Sequence, residues 1–360
     1  MIQIVSKYRK IEEYLINLIR NNRLKPGDKL PTEFELMSKF NVSRETVRKA
    51  IRRLVVEGLV YRKPGVGTFV SEERKNRLIG ICVQQITSYI FPYIVLGAED
   101  EAFNNGYKLL LGNGFEDPSK ERQILIDWKN SGIKGMIIDP VCSALQRSNR
   151  ELIKRFVEEG LKIVLINSDL EIDGTSVVVL DDFYGGQKAA EVFYENGHKR
   201  VAVLYKSTHL PSILRAQGFV HKGKELGFEK IYERSFHPSE FTGIPIDHAH
   251  ELLSLPPSER PTGVFCYNDV TALQFYMVAK RYGLGVPDDL SLIGFDDAPI
   301  GDFRWQLSTF SHPKEEMGRK AVEILLKMLN GEISDIKHMI KPEFIMRKSV
   351  SKFKGDDNNV

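Results

Sequence analysis

Short apolar runs alternate with longer amphipathic stretches along the chain after residue 78. The runs are almost free of polar residues, as in strands buried on both faces of a parallel sheet. They fall at 78–83, 109–111, 135–138, 163–166, 177–180, 201–204, 264–266 and 290–295. Helical spacing marks the stretches between them, such as 120–131, 149–159, 185–196, 213–226, 269–282 and 314–329. Repeated strand–helix units predict a doubly wound α/β fold, and about 280 residues suffice for two lobes.

The first seventy residues follow a different pattern, which predicts three helices and a hairpin. Residues 7–22 have one apolar face, Thr32 with Glu35 forms a capping box for a second helix, and Ser43 caps a third. The third helix turns Val47, Ala50, Ile51 and Leu54 inward. Residues 61–63 and 68–70 then pair across a turn with two glycines, which allow close approach of the backbone to a phosphate or a groove.

Charge is unevenly distributed between these two parts. Residues 1–77 contain 18 Lys and Arg against nine Asp and Glu, a net charge of +9, whereas the rest of the chain carries −6. A basic helix face is often only solvated, but this one is followed by a basic hairpin, and the combination indicates a nucleic-acid-binding module on an acidic body. The residues expected to contact double-stranded DNA are Thr32, Ser43, Arg44, Glu45, Thr46, Arg48, Lys49, Arg52, Lys63, Gly65 and Gly67.

Residues 29–71 resemble the winged helix-turn-helix of GntR-type bacterial transcription regulators. The resemblance rests on the PTE, VSRETVRKA, EGL and GVGTFV segments. It implies DNA contacts by Arg44, Thr46 and Arg48 of the third helix and by Gly65 and Gly67 of the wing. Many members of the family carry an arginine where this chain has Phe34, so that contact is not expected here.

Polar and aromatic side chains follow the predicted strands, at the edge where ligands bind in doubly wound sheets. Amide, carboxylate and guanidinium groups can fix sugar hydroxyls, and aromatic rings can stack on a sugar face. Asp182 and Asp269 are interpreted as helix caps. The residues expected to contact an effector are Tyr89, Phe91, Tyr93, Asn167, Arg215, Asn268 and Asp296.

Most of residues 78–330 resembles the sensor domain of LacI-type repressors, which is similar to periplasmic sugar-binding proteins. The matching segments include GIKGMIID, RAQGF, PTGVFCYNDVTALQ and GVPDDLSLIGFDDAP. This resemblance implies effector contacts at Asn167, Arg215, Asn268 and Asp296, and dimerisation through the sensor. A GntR-type head on such a sensor resembles the bacterial arabinose repressors, and this resemblance alone implies L-arabinose. Another pentose or hexose, and a corepressor role, remain alternatives.

The predicted boundaries are a head at 1–71, a linker at 72–77, a two-lobed sensor at 78–350 and a polar tail at 351–360. The first lobe is expected at about 78–180 plus 310–331, and the second at about 181–309 plus 332–350. Three separated cysteines and scattered histidines indicate no metal, cofactor or disulfide. No catalytic motif supports an enzyme. An exported sugar-uptake protein is disfavoured because no signal peptide or membrane span is evident, so a cytoplasmic homodimeric repressor is predicted.

Overall fold

The computed structural model describes residues 7–21, 23–56, 59–63, 66–71, 77–145, 148–237, 244–301, 306–353 and 355. The chain divides into two compact units, Met1–Arg77 and Leu78–Val360, which we call the head and the sensor domain. Of the predicted linker, Arg77 alone lies within the described residues. None of the helices in these ranges has the length and apolar content needed to cross a membrane.

The described part of the head contains α1 (Lys7–Arg20), α2 (Glu33–Phe40), α3 (Arg44–Val56) and a hairpin of β1 (Val60–Lys63) and β2 (Gly67–Val70). Thr32 caps α2 through the predicted capping box: its hydroxyl accepts from the Glu35 N–H, and the Glu35 carboxylate accepts from the Thr32 N–H. Each helix buries one apolar face in a common core, formed with the hairpin by Ile11, Leu15, Leu36, Val47, Ala50, Ile51, Leu54, Val60 and Val70.

The hairpin, or wing, is antiparallel, with Val60 opposite Val70 and Lys63 opposite Gly67. The segment before α2 is tied to it, because the Leu30 N–H donates to Thr68 O and the Val70 N–H donates to Asp28 O, each at 2.8 Å. These bonds fix the wing against the entry to the helices. Gly65 and the side chain of Lys63, both predicted DNA contacts, lie outside the described residues.

The first lobe of the sensor is a parallel sheet in the order β13-β7-β6-β5-β3-β4. Its strands are β3 (Leu78–Val83), β4 (Lys108–Asn113), β5 (Gly135–Ile138), β6 (Lys162–Ile166), β7 (Ser176–Leu180) and β13 (Lys337–Ile340). One face packs on α4 (Phe91–Asn104) and α11 (Lys314–Leu329), and the other on α5 (Pro118–Asn130) and α6 (Arg150–Glu158). Burial of both faces explains why the central strands are continuous apolar runs.

The second lobe repeats this plan with a parallel sheet in the order β11-β10-β8-β9. The strands are β8 (Arg200–Lys206), β9 (Lys230–Phe236), β10 (Gly263–Cys266) and β11 (Ser291–Ile293). Helices α7 (Asp182–Glu195) and α8 (Leu210–Leu226) cover one face, while α9 (Ile244–Leu253) and α10 (Asp269–Arg281) cover the other. The predicted α/β architecture of two doubly wound lobes is therefore present.

The predicted lobe boundary is wrong for residues 332–340, whereas Ser349 is bonded to Leu292 of the second lobe, as predicted. Strand β13 pairs in parallel with β7, with Lys337 opposite Val177, so it belongs to the first lobe. The reason is that α11 packs on the first lobe and the chain completes the edge of the same sheet before it crosses back. The crossing is made by β14 (Phe344–Ile345), which pairs with β12 (Thr309–Phe310).

The start of the predicted polar tail is also attached to the second lobe. The Ser351 N–H donates to Ser291 Oγ at 3.0 Å, and the Phe353 N–H donates to Asn196 O at 2.8 Å. These backbone bonds hold residues 351–353 against the sheet end of the second lobe, so these three residues belong to that lobe rather than to a tail.

Two glycines allow α7 and α8 to cross closely in the second lobe. A Cβ atom at Gly186 would overlap the carbonyl of Arg215, and one at Gly218 would overlap the carbonyl of Phe183. Backbone therefore packs directly on backbone at this crossing. The position of Arg215 is fixed by the contact with α7 as well as by its own helix.

Candidate functional site

The outer face of α3 carries the charges that the sequence assigns to DNA. Arg44, Glu45, Arg48, Lys49 and Arg52 are exposed, whereas the opposite face of the helix is buried in the core. At the start of the helix, Ser43 Oγ lies 3.0 Å from Thr46 Oγ1 and accepts from the Thr46 N–H at 3.4 Å. The face has the form of a recognition helix that presents its N-terminal residues to base edges.

Glu33 of α2 holds two of these arginines together. Its carboxylate accepts from Arg44 Nε at 2.8 Å and from Arg48 Nε at 3.1 Å. The hydrogen bond from Arg44 is the main cause of a lowered Glu33 pKa, so this carboxylate is ionised at neutral pH. Both guanidinium groups are thereby fixed near the N-terminal end of α3, a contact that the sequence analysis missed.

The remaining head residues have partners of their own. Lys49 Nζ lies 4.7 Å from the centroid of the Tyr8 ring, and Arg52 Nη2 lies 3.5 Å from Glu45 Oε1. The Thr32 hydroxyl is engaged in the capping box. Phe34, at the start of α2, is 78% exposed, which is unusual for a phenyl ring.

A cleft lies between the two lobes at the carboxyl ends of their strands. The structure encloses about 90 Å³ there, whereas a single water needs roughly 10–15 Å³. A space of this size admits a small molecule rather than a peptide. Most of the residues that line it have polar side chains, and the lining includes Gln84, Gln85, Ser88, Tyr89, Phe91, Glu116, Asn167, Asp182, Lys206, His209, Arg215, Tyr267, Asn268, Asp296 and His312.

Arg215 is the centre of this cleft. The residue is 5% exposed, and its Nε donates to Asp182 Oδ1 at 2.7 Å. Its Nη1 donates to Asp296 Oδ1 at 3.2 Å, and its Cζ lies 3.5 Å from the centroid of the Phe295 ring. Burial works against the charge, but Asp182 and Asp296 raise the pKa of Arg215 overall, so the buried cation is retained.

Contacts between described residues join the two lobes around the cleft. Tyr89 of the first lobe donates its hydroxyl to Asp296 Oδ2 of the second at 2.7 Å. Lys206 Nζ donates to Glu116 Oε1 at 2.8 Å. Backbone groups add to these: the Leu210 N–H donates to Ser143 Oγ and the Ala144 N–H donates to Thr208 O.

Protonation in the cleft is set mainly by burial. Burial raises the pKa of the Asp182 carboxyl to about 6 although Arg215 opposes it, so Asp182 is ionised at neutral pH. Burial lowers the pKa of His209 well below its usual range and that of His312 to about 3, which keeps both rings neutral. Burial and the neighbouring Asp296 raise the pKa of Tyr89, so its hydroxyl remains a donor.

Most of the predicted effector residues lie in the cleft. The structure brings together Tyr89, Phe91, Asn167, Arg215, Asn268 and Asp296. Tyr93 was also predicted to contact the effector, but it does not line the cleft. Its side chain is 41% exposed and faces a surface depression with Pro299 and Arg319. Helix α4 begins at Phe91, and two residues along a helix turn the side chain by about 200°, so Tyr93 points away from the cleft.

The interpretation of Asp182 as a helix cap is wrong. Asp181 caps α7 by accepting from the Tyr184 N–H, which frees Asp182 to bind Arg215. Asp269 likewise is not the cap of α10; that role falls to Asn268. Asp269 instead accepts from Thr309 Oγ1 at 2.6 Å and from the Ala298 N–H at 2.7 Å, and so anchors the segment that follows Asp296.

Several cleft residues were missed in the sequence, namely Gln84, Glu116, Asp182, Lys206, His209, Tyr267 and His312. A signal was available for some of them, since Glu116 and Lys206 are charged residues near the ends of strands. Their pairing across 90 positions of sequence had no local signature.

Comparison with known proteins agrees with this architecture. The family described as bacterial regulatory proteins, gntR family, matches residues 7–70, and the periplasmic binding protein-like domain matches residues 190–350. The arabinose metabolism transcriptional repressor of Geobacillus stearothermophilus is 35% identical over 96% of this chain and 98% of its own length. The protein of the same name from Halalkalibacterium halodurans is 29% identical over 98% of both chains.

A solved structure shares the fold. The LacI family transcriptional regulator from Enterococcus faecium with bound ribose superposes with a TM-score of 0.64 at 22% identity, covering 77% of this chain and 100% of that chain. The two matched domains, together with the 35% identity to the Geobacillus protein over nearly the whole chain, establish the family. The chain belongs to the family of GntR-type transcriptional repressors with a periplasmic-binding-protein-like sensor domain, which includes the arabinose metabolism repressors.

Proposed function

We propose that this protein represses sugar-utilisation genes as a homodimer on operator DNA and that L-arabinose, bound in the cleft, releases it. Because operator DNA lies in the bacterial cytoplasm, the protein acts there. The names of the Geobacillus and Halalkalibacterium relatives support arabinose as the sugar. The alternatives are a different pentose or hexose and a ligand that strengthens DNA binding.

The observation that carries the proposal is the chain of bonds from Tyr89 through Asp296 to Arg215. It joins both lobes at a place where a small polar ligand fits. A sugar that replaces or extends these bonds contacts both lobes and favours one angle between them. A ligand shifts such an equilibrium only by its differential affinity for the two states. Allosteric coupling of this kind is typically about 1–3 kcal/mol.

The polar lining suits a polyhydroxylated ligand. Arg215 and Lys206 supply donors, Asp182, Glu116 and Asp296 supply acceptors, and Phe91 supplies an aromatic face. Charged hydrogen-bonding groups with fixed geometry discriminate among hydroxyl arrangements, because a mismatch leaves a buried group unpaired. The solved Enterococcus regulator, whose structure contains ribose, supports a monosaccharide as the ligand.

An exposed apolar patch on the first lobe supports a homodimer. Leu96 and Phe103 lie seven residues apart on α4 and are 48% and 73% exposed, and Leu111 on the sheet edge β4 and Phe115 beyond it are 48% and 55% exposed. Such a patch is unusual on a monomer. In a dimer whose interface extends from here to the second lobes, a change in the angle between the lobes moves the two first lobes relative to each other and so alters the spacing of the two heads, which weakens binding to a two-fold operator.

Calorimetric titration of the protein with L-arabinose, D-arabinose, D-xylose and D-ribose tests the ligand assignment. We expect L-arabinose to bind most tightly and Arg215→Ala to abolish binding, because a buried guanidinium fork is hard to replace with water. Arg234→Ala is the matched control: Arg234 also belongs to the second lobe but pairs with Glu251, outside the cleft. Tighter binding of another sugar would overturn L-arabinose, and normal binding by Arg215→Ala would overturn the site.

A further inference from the structure

Asp139 is a wholly buried residue at the carboxyl end of β5, and the mechanism above does not use it. Its N–H donates to Cys82 O at 2.8 Å, which continues the pairing with β3. Its Oδ1 accepts from Gln84 Nε2 at 3.1 Å. The Asp139 backbone and side chain thus join the ends of β3 and β5 by hydrogen bonds.

Gln84 and Asn167 both line the cleft, whereas Asp139 lies behind them. We propose that Asp139 is a positioning residue for effector specificity, which fixes the amide of Gln84 and so determines which hydrogen-bonding atom this residue of the first lobe presents to the sugar. This inference rests on the proposed function, since it concerns the same cleft.

The orientation of Gln84 follows from the chemistry of the two groups. Both an ionised carboxylate and a neutral carboxylic acid offer an acceptor oxygen, so Asp139 holds the amide N–H₂ of Gln84 toward itself in either state. The amide oxygen is thereby turned away from Asp139 and left to accept from a sugar hydroxyl. A reversed amide would present a donor in the same place, and sites built for one hydrogen-bond pattern reject the other strongly.

Burying the Asp139 carboxyl costs stability. Burial raises the pKa of Asp139 to about 8; the hydrogen bond from Gln84, the neighbouring Asn167 amide and the charge of Lys206 lower it, whereas the charge of Glu121 raises it. An amide or a small apolar side chain would avoid the cost of burying an ionisable group. A buried group that costs stability and holds a cleft residue fits a functional role better than a packing role.

Two substitutions separate orientation from mere packing. Asp139→Asn keeps an acceptor for Gln84, so we expect its affinity for L-arabinose to stay within about threefold of the wild type. Asp139→Ala removes the acceptor, and we expect a loss of roughly 5- to 100-fold. The preference for L-arabinose over its C4 epimer D-xylose should fall as well. Gln84→Ala should reduce the preference similarly, and combining it with Asp139→Ala should add little.

Glu121→Ala is the matched control. Glu121 is also wholly buried in the first lobe, but it accepts from the Val141 N–H and from Asn149, which do not line the cleft. We expect a lower melting temperature and unchanged sugar affinity. An unchanged sugar preference in Asp139→Ala, or an equal loss in Glu121→Ala, would overturn the inference. If Asp139→Ala does not fold, an unchanged preference in Gln84→Ala overturns it. Failure of the wild type to bind any pentose would contradict the proposed function instead.

Discussion

Glu33 is an acidic residue on a surface expected to approach phosphates, where a negative charge should reduce general affinity for DNA. Its bonds to Arg44 and Arg48 give a reason for its presence, because they hold both guanidinium groups before DNA arrives. We expect Glu33→Gln to raise affinity for random DNA by removing a negative charge. The difference in binding free energy between operator and scrambled DNA should fall by up to about 1–3 kcal/mol for each arginine that reads a base. Titrations of operator and scrambled DNA at several salt concentrations measure both effects.

Glu45→Gln controls for charge in that experiment. Glu45 lies on the same face of α3 but pairs with Arg52. The same loss of charge should raise affinity for both DNAs alike and leave their ratio unchanged. If both variants changed the ratio equally, Glu33 would have no special role in orienting the arginines.

Asp139 should make stability depend on pH. The ordinary pKa of an aspartate is about 3.9, whereas burial raises that of Asp139 to about 8. Between these values the folded protein keeps a proton that the unfolded chain releases, so stability falls as pH rises through this window. The Asp139→Asn variant has no group that titrates at this position. The melting temperature of that variant relative to the wild type should therefore increase from pH 5 to pH 8, and a constant difference would contradict the raised pKa.

At the scale of elements, the crossing of α7 and α8 should control the sugar site. Gly186→Ala places a methyl group against the carbonyl of Arg215, so α8 must shift and carry Arg215 with it. We expect weaker L-arabinose binding along with lower stability. Gly227→Ala, at the C-terminal end of the same helix, meets no atom but forces a residue with φ of +75°. It should cost about 1 kcal/mol of stability and leave sugar affinity unchanged, as calorimetry and thermal melts can establish.

The sequence predicted buried elements well and exposed edges poorly. The strand expected at 135–138 begins and ends where the structure has β5, because a strand covered on both faces is apolar throughout. Strands β9, with sequence KIYERSF, and β13, with sequence KHMI, were missed. Each is the edge of its sheet and leaves many side chains exposed, so neither has the apolar run that marks a central strand.

The candidate site was partly predictable for a related reason. Arg215, Asn268 and Asp296 were identified because strand ends and family motifs fix their place along the chain. Tyr93 was misassigned because the phase of α4 depends on its first residue, which the pattern did not reveal. The ion pair of Lys206 with Glu116 joins two separate sheets, and only the packing of the lobes brings these side chains together.

At the scale of the whole molecule, the proposed homodimer can be tested at the two edges of one sheet. Leu111 on β4 and Met339 on β13 are 48% and 50% exposed at opposite edges of the first-lobe sheet. We expect Leu111→Asp to produce monomers in sedimentation velocity, because a buried unpaired charge opposes association. Met339→Asp should remain dimeric. If both variants remained dimeric, the apolar patch on α4 and β4 would not be part of the dimer interface.

The most direct measurement is the affinity of the full-length protein for its operator with and without saturating L-arabinose, by fluorescence anisotropy, in the wild type and in Arg215→Ala. We expect L-arabinose to weaken wild-type binding about 5- to 150-fold. We expect Arg215→Ala to bind the operator with wild-type affinity and not to respond to the sugar. Tighter operator binding in the presence of L-arabinose, or a full response by Arg215→Ala, would contradict release by a sugar bound at Arg215.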